Sequence, residues 1–378
     1  MNILAFLKKW LYDIDKFTLF FAFSLMTLGL IVSLTISPAM AHRINISNYH
    51  FTIHHIFFCI LGIFIMLLFS MLSKMSILNL SYLGYFFCFI MLCLVLVIGI
   101  TIKGSHRWIN FGCFALQPSE IMKPFFIIMN AHFLSVSKTN KIVPVISIVS
   151  FSALILLLVL QPDFGSAIIY SSIWLIQVFL GNTKMKILIY SFIPAILLLG
   201  CIGFVFFPHV HHRVINFFLL RGGKEHYQTK KAIESIYNGG LFGKGLGEGE
   251  VKYQLPDSHT DYIFSVICEE FGVLFAVCLI VYFIIFMYRH LASNITNNKY
   301  EIRVIYGLVL LFITQSCIHM AVNTNIFPSK GMTLPFISYG GSSMLSNSII
   351  FGFLLAFTRK SYNYKSPYQI FKNAYYKR

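Results

Sequence analysis

Apolar residues fall in blocks of about twenty along almost the whole chain, each closed by a short polar segment. The blocks lie at 17–37, 53–72, 77–100, 119–136, 142–160, 164–180, 187–207, 261–288, 303–324 and 341–358. A helix of that length crosses a hydrocarbon core of roughly 30 Å. The pattern predicts an all-α membrane protein of about ten transmembrane helices, forming one polytopic domain over residues 1–378. The connections are short except for 208–260, a long loop between the seventh and eighth spans. Loops beyond about fifteen residues are usually functional or disordered. The amphipathic stretch 227–237 within this one predicts an ordered helix.

An even number of crossings returns both termini to one side. With the N-terminus inside, the cytoplasmic segments carry Lys8, Lys9, Lys16, Lys74, Lys138, Lys141, Lys184, Lys186, Arg289, Lys299 and Arg303, and the basic tail 359–378 adds six more. The short outer loops carry only Arg43, Lys103, Arg107 and Lys330. This bias sets both termini in the cytoplasm and the long loop outside the inner membrane. The loop's seven Lys/Arg do not weaken that reading, because long translocated loops escape the charge rule.

Composition agrees: 57% of residues are hydrophobic and 11% charged, which excludes an ordinary soluble domain. The formal charge of +16 is spread through short membrane-flanking loops, so it orients the protein and implies no nucleic-acid partner. The eight cysteines show no CxxC or Cys/His metal spacing and suggest no disulfide framework. Ala39-Met40-Ala41 resembles a cleavage site, but the apolar run before it is longer than a signal h-region and reads as a retained first helix.

Against this apolar background the polar clusters stand out. The densest is Leu255-Pro256-Asp257-Ser258-His259-Thr260-Asp261 at the entry to the eighth span, followed by Glu269-Glu270-Phe271-Gly272 inside it. Ionisable groups at membrane depth are costly and usually functional. Asp257 and Asp261 share a face if the helix starts early, whereas Thr260 or Asp261 would be its N-cap if it starts late. A second cluster is Lys103-Gly104-Ser105-His106-Arg107-Trp108, then Gln117-Pro118-Ser119-Glu120 and Lys123. Glu120 and Lys123 at i, i+3 can pair on one helix face, and Trp108 also suits an interfacial belt. A third runs from Asn323 and Asn325 through Pro328-Ser329-Lys330-Gly331 to Ser338-Tyr339-Gly340-Gly341-Ser342-Ser343, whose Gly-Gly-Ser-Ser end reads as close helix packing.

Other motifs read more plainly. In Gln161-Pro162-Asp163-Phe164-Gly165-Ser166 the carboxylate is expected to cap the next helix. The glycine-rich run 239–249 lacks the strand before it and the Ser/Thr after Lys244 that a phosphate loop needs, and is expected to be a flexible hinge. His209, His211 and His212 have no carboxylate partner at a recognised spacing and read as interfacial residues. Asp13-Ile14-Asp15 reads as the polar start of the first span.

Taken together and in order, His106-Arg107-Trp108, Gln117 to Glu120 with Lys123, Gln161 to Ser166, the glycine run, Leu255 to Asp261 and Pro328 to Ser343 resemble the SEDS family, the FtsW/RodA polymerases of peptidoglycan. The resemblance covers about residues 15–360. It implies a glycosyltransferase that polymerises lipid II, an undecaprenyl-pyrophosphate-linked disaccharide peptide, at the outer face of the inner membrane. It implies Asp261, with Asp257, as catalytic carboxylates, Asp261 as base or ligand of a divalent cation (Mg or Mn). Arg107, Trp108, Gln117, Ser119, Glu120, Lys123, His259, Thr260, Lys330 and Ser338 would line the substrate site. A class B penicillin-binding protein and other divisome membrane proteins would be its partners. Asp257 and Tyr262 stand where the family commonly has Glu and Phe, and 323–327 departs from the usual Asn-Ile/Met-Gly. The wording of 333–338 leans to the division branch, FtsW, over the elongation branch, RodA. Two other readings use the same residues: a lipid II flippase, which would place charge near the bilayer midplane, and a non-catalytic scaffold for the penicillin-binding protein, which would leave Asp257 and Asp261 unused.

Overall fold

The computed structural model describes residues 3–102, 105–110, 112, 115–136, 142–180, 224–292, 296–328 and 331–359. Every predicted span within them is a helix: α2 (Lys16–Ile44), α3 (His50–Met71), α4 (Lys74–Ile98), α5 (Pro118–Val136), α6 (Ile142–Leu160), α7 (Phe164–Phe179), α9 (Ile263–Ala292), α10 (Lys299–Asn323) and α11 (Gly341–Thr358). Six of these, α2, α3, α4, α9, α10 and α11, are long and apolar enough to cross a membrane. The seventh predicted span, 187–207, the histidines at 209, 211 and 212, and the tail from 360 lie outside the described residues.

Polar residues at the block edges start the helices. Asp15, Ser73, Asp163 and Asn298 each accept a backbone N–H of the helix that follows, as N-caps do. Among the described residues, two helices lie outside the apolar blocks: α1 (Ile3–Asp13), anchored where Trp10 donates to Ser70 at 3.2 Å, and α8 (Lys224–Gly239), the amphipathic helix expected in the long loop. A small antiparallel sheet, which the hydropathy pattern does not predict, joins α4 to α5. It has the order β1 (Ile100–Ile102), β2 (Ser105–Asn110), β3 (Ala115–Leu116), with Ile100 opposite Trp108 and Ile109 opposite Leu116.

Helix α5 is buried along most of its length and packs against α4, α6, α7, α10 and α11, which carries Glu120 and Lys123 into the interior. The core around α2, α9, α10 and α11 is aromatic. Phe21 stacks on Phe286 at 4.1 Å between centroids, and Phe351 meets Phe312 at 5.0 Å and Phe336 at 4.9 Å. Phe336 belongs to the turn before α11, so that turn is rooted in the core. Gly29 of α2 lets it approach: a Cβ there would lie 2.7 Å from the Phe336 carbonyl oxygen.

Ion pairs and loop contacts divide the bundle into two ends. One end joins Asp15 to Arg289 at 2.7 Å, Lys74 to Glu301 at 2.7 Å, and Arg359 to the Leu72 carbonyl. The other gathers the sheet, the 161–163 turn, 240–262 and 331–340, and with them the candidate residues.

Helix α9 is broken at Gly272, whose φ of 86° is open to glycine and strained for other residues. Its interrupted ladder is completed from outside the helix. The Gly240 and Leu241 carbonyls accept from the amides of Val273 and Leu274 at 3.0 and 3.1 Å, and the Glu269 and Glu270 carbonyls accept from Lys244 and Gly245 at 2.9 and 3.0 Å. The glycine run is thus a fixed turn bonded edge-on to α9, not the flexible hinge expected from its composition. A stretch of about twenty residues, 273–292, remains beyond the break, a full membrane crossing.

Candidate active site

Asp261 sits two residues before α9 in a turn closed by Asp257, whose φ of 57° is one that Asp tolerates better than most residues. The Asp257 carbonyl accepts from the amides of Thr260 and Asp261 at 3.1 and 3.0 Å and from the Thr260 hydroxyl at 3.3 Å. The helix therefore starts late, at Ile263, and Asp257 and Asp261 do not share a helical face. The Asp261 carboxylate points to the 331 segment: a Cβ on Gly331 would lie 3.3 Å from Oδ2. Lys330, next to it, lies outside the described residues.

Two latches hold this turn. Asn323 at the end of α10 donates to the Asp261 carbonyl and accepts from both the amide and the hydroxyl of Ser265 at 3.1 and 2.9 Å. Ser338 donates to the Thr260 carbonyl at 2.7 Å and accepts from the Leu334 amide at 2.8 Å, while Tyr339 N–H donates to the His259 carbonyl at 3.0 Å. The rings of Phe51, His259 and Tyr339 cluster beside them, with centroids 4.6 to 5.6 Å apart. Burial raises the Tyr339 phenol above its ordinary pKa.

The second cluster is built on β2, the 161–163 turn and the start of α5. Arg107 donates to the Pro162 carbonyl and pairs with Asp163 at 3.4 Å. Asp163 also caps α7 through Ser166 and accepts from Gln117 at 3.3 Å and Ser119 at 3.2 Å. Its sequence reading as a simple cap misses this buried hub. Trp108 is half-buried in β2. One turn deeper, Lys123, fully buried, pairs with Glu120 at 2.6 Å and donates to Gln315 at 3.3 Å. Arg107 and Lys123 are both neutralised by carboxylates, so neither is a free cation awaiting an anion.

The two clusters meet on the segment 331–343. Gln315 reaches from Lys123 to the Thr333 carbonyl at 3.3 Å, the His319 ring bonds the Met332 carbonyl at 2.7 Å, and Thr333 donates to Ser343 at 2.6 Å. Ser342 accepts from the Gln117 amide at 3.0 Å, and Ser346 donates to the Glu120 carbonyl at 2.7 Å. The Gly-Gly-Ser-Ser run therefore does more than pack: Gly341 sits against Phe58, and its serines join α11 to the polar network. Glu120 Oε2, His319 Nε2 and Asn347 Oδ1 are buried around this segment with no hydrogen-bond partner. Buried polar atoms are ordinarily satisfied, so this interior suits a polar ligand or water.

Glu269 and Glu270, in contrast, are consumed by structure. Glu269 accepts from Ser235 at 3.0 Å, Asn238 at 3.1 Å and the amides of Glu250 and Val251 at 2.9 Å. Glu270 pairs with the fully buried Lys252 at 2.6 Å, and Lys252 also donates to the Gly247 carbonyl. These carboxylates dock the long loop on α9. No group of three or more His, Cys, Asp or Glu side chains is placed to hold a metal among the described residues. A single carboxylate, here the half-buried Asp261, is nevertheless a donor set by which Mg²⁺ is commonly held when substrate phosphates supply the rest.

Comparison with known proteins matches this architecture along its length. The chain is 37% identical over 358 residues to a protein of Caulobacter vibrioides named "Probable peptidoglycan glycosyltransferase FtsW", covering 94% of this chain and 91% of that one. A protein of the same name from Coxiella burnetii is 32% identical over 378 residues, covering 94% and 98%. Stage V sporulation protein E of Bacillus subtilis is 30% identical over 353 residues, covering 89% and 94%. Among solved structures, a chain of a peptidoglycan synthase complex superposes with a TM-score of 0.75 at 22% identity, covering 93% of this chain and 99% of that one. Thermus thermophilus RodA superposes with a TM-score of 0.64 at 22% identity, covering 93% and 98%. The fold is the multi-pass membrane fold of these proteins. The FTSW_RODA_SPOVE model, described as cell cycle protein, matches residues 16–363, and the chain belongs to that family.

Proposed function

We propose that this chain is a peptidoglycan glycosyltransferase that polymerises lipid II at the outer face of the inner membrane during cell division. The observation that carries the reading is the Asp261 carboxylate, set against Gly331 and latched through its backbone by Asn323. Similarity to proteins named FtsW over nine-tenths of the chain supports the substrate class and the division role.

In this reading the 4-hydroxyl of an acceptor GlcNAc attacks C1 of the terminal MurNAc of the growing strand. Asp261 takes the hydroxyl proton as the new C–O bond forms, and the C1–O bond to undecaprenyl pyrophosphate breaks. Charge develops on the leaving diphosphate and must be stabilised. Arg107 and Lys123 are already paired with Asp163 and Glu120, so their role is to shape the site. Lys330 would supply counter-charge, and a divalent cation, if bound, would add to it, with Asp261 as the residue that would hold it in place of acting as base. The latches at Asn323 and Ser338, with His259 and Thr260 on the same turn, fix where the base stands. Both termini would lie in the cytoplasm, and a class B penicillin-binding protein and other divisome proteins would dock on the helices.

The test is polymerisation by the purified protein, with and without a class B penicillin-binding protein, given lipid II and Mg²⁺ or Mn²⁺. Glycan strands should form, vanish with a chelator, return with the metal, and be abolished by Asp261→Asn. Full activity of that variant would overturn Asp261 as the base. Transbilayer movement of lipid II without polymer would replace the enzyme by a flippase.

A further inference from the structure

The long loop exposes large apolar side chains where a water-facing loop has no use for them. Tyr237 at the end of α8 is 81% exposed, Leu241 66%, Phe242 81% and Leu246 57%. Clustered apolar exposure of this kind marks an interaction surface. Its height is fixed by backbone bonds. Gly240 and Leu241 accept from Val273 and Leu274, the first residues of α9 beyond the break and the start of its membrane-crossing stretch. Below that point α9 shows its own exposed apolar side chains, Leu274 at 57%, Val277 at 50% and Val281 at 46%. The loop patch is thus continuous with a face that must meet lipid.

We infer that the 237–246 turn dips its apolar tip into the outer leaflet, with the lipid headgroup and upper acyl region as its occupant. A mixed aromatic and aliphatic tip is the composition that partitions to this depth. Insertion fixes the loop against the bilayer surface, and through η1, the single-turn helix Val251–Tyr253, it sets the height of the Asp257 to Asp261 turn relative to lipid-borne substrates. The inference concerns where the loop sits and holds whether or not the chain polymerises glycan.

The test uses the full chain in liposomes with Phe242→Trp, and Glu248→Trp as a control from an exposed polar position of the same loop. Emission added above that of Trp10, Trp108 and Trp174 is read with lipids brominated at shallow or deep acyl positions and with aqueous iodide. The 242 indole should emit blue-shifted, lose most of its added intensity to shallow bromolipid, and resist iodide, while the 248 indole does the reverse. Quenching of the 242 indole by iodide would overturn the inference. So would shielding from both quenchers, which would mean that protein covers the patch.

Discussion

Asn323 grips Asp261 by the peptide: its Nδ2 donates to the Asp261 carbonyl at 3.0 Å while its Oδ1 receives the amide and hydroxyl of Ser265. The last residue of α10 thereby fixes the first turn of α9. Replacement by leucine, which can neither donate nor accept, strands buried groups that cost about 1–3 kcal/mol each. Asn323→Leu should lower the thermal unfolding midpoint in detergent and reduce polymer formation together. Asn323→Asp keeps the acceptor for Ser265 and loses the donor, so it should fall between the two. A wild-type midpoint for Asn323→Leu would show that the latch carries no strain of the fold.

Asp163 caps α7, pairs with Arg107 and accepts from Gln117 and Ser119, and substitution separates the cap from the charge. Asp163→Asn keeps an oxygen for the α7 cap and removes the charge facing Arg107, whereas Asp163→Ala removes both. A charge-assisted hydrogen bond is worth about 1.5–3 kcal/mol. Because the pair with Arg107 helps shape the site, Asn should lower kcat roughly tenfold to a hundredfold and cost less stability than alanine, which loses the cap as well. Alanine should lower both. Unchanged kcat in Asp163→Asn, with stability lost only in Asp163→Ala, would make Asp163 a helix cap and nothing more.

Lys252 and Glu270 are both fully buried at 2.6 Å. Removing one partner of such a pair leaves an uncompensated charge and typically costs about 3–5 kcal/mol, while replacing both by apolar residues is often neutral. Lys252→Met alone should loosen the loop and open 240–250 to protease. Lys252→Met with Glu270→Leu should restore resistance. Protease resistance of the single variant would contradict the docking role assigned to the pair.

The spans were legible because hydropathy over about twenty residues is a strong signal that tertiary contacts rarely overturn. The α8 helix was legible for the same reason at 3.6-residue period. The sheet was not: its strands have three, six and two residues, too few for alternation to register. Single-residue readings captured local chemistry and missed distant partners. Asp163 was rightly a cap, but its link to Arg107 spans fifty-six positions, and no spacing rule reaches that far. Glu269 and Glu270 looked like chemistry because charge inside an apolar run usually is. Their partners at 235, 238 and 250–252 are in the loop, where sequence gives no hint of docking. In the sequence Asn323 reads only as part of a polar cluster, since an amide that bridges two helix ends has no sequence signature.

The break at Gly272 also gives the docked 240–262 loop a mechanical meaning. Because the amides of 273 and 274 are completed by the loop's own carbonyls, peeling the loop away would leave them without partners at the start of an apolar stretch, which is costly wherever water cannot replace them. Slack is absent at that joint. A pull or push on the loop would pass into α9 and on to the turn that bears Asp261, as through a lever whose fulcrum is a single glycine.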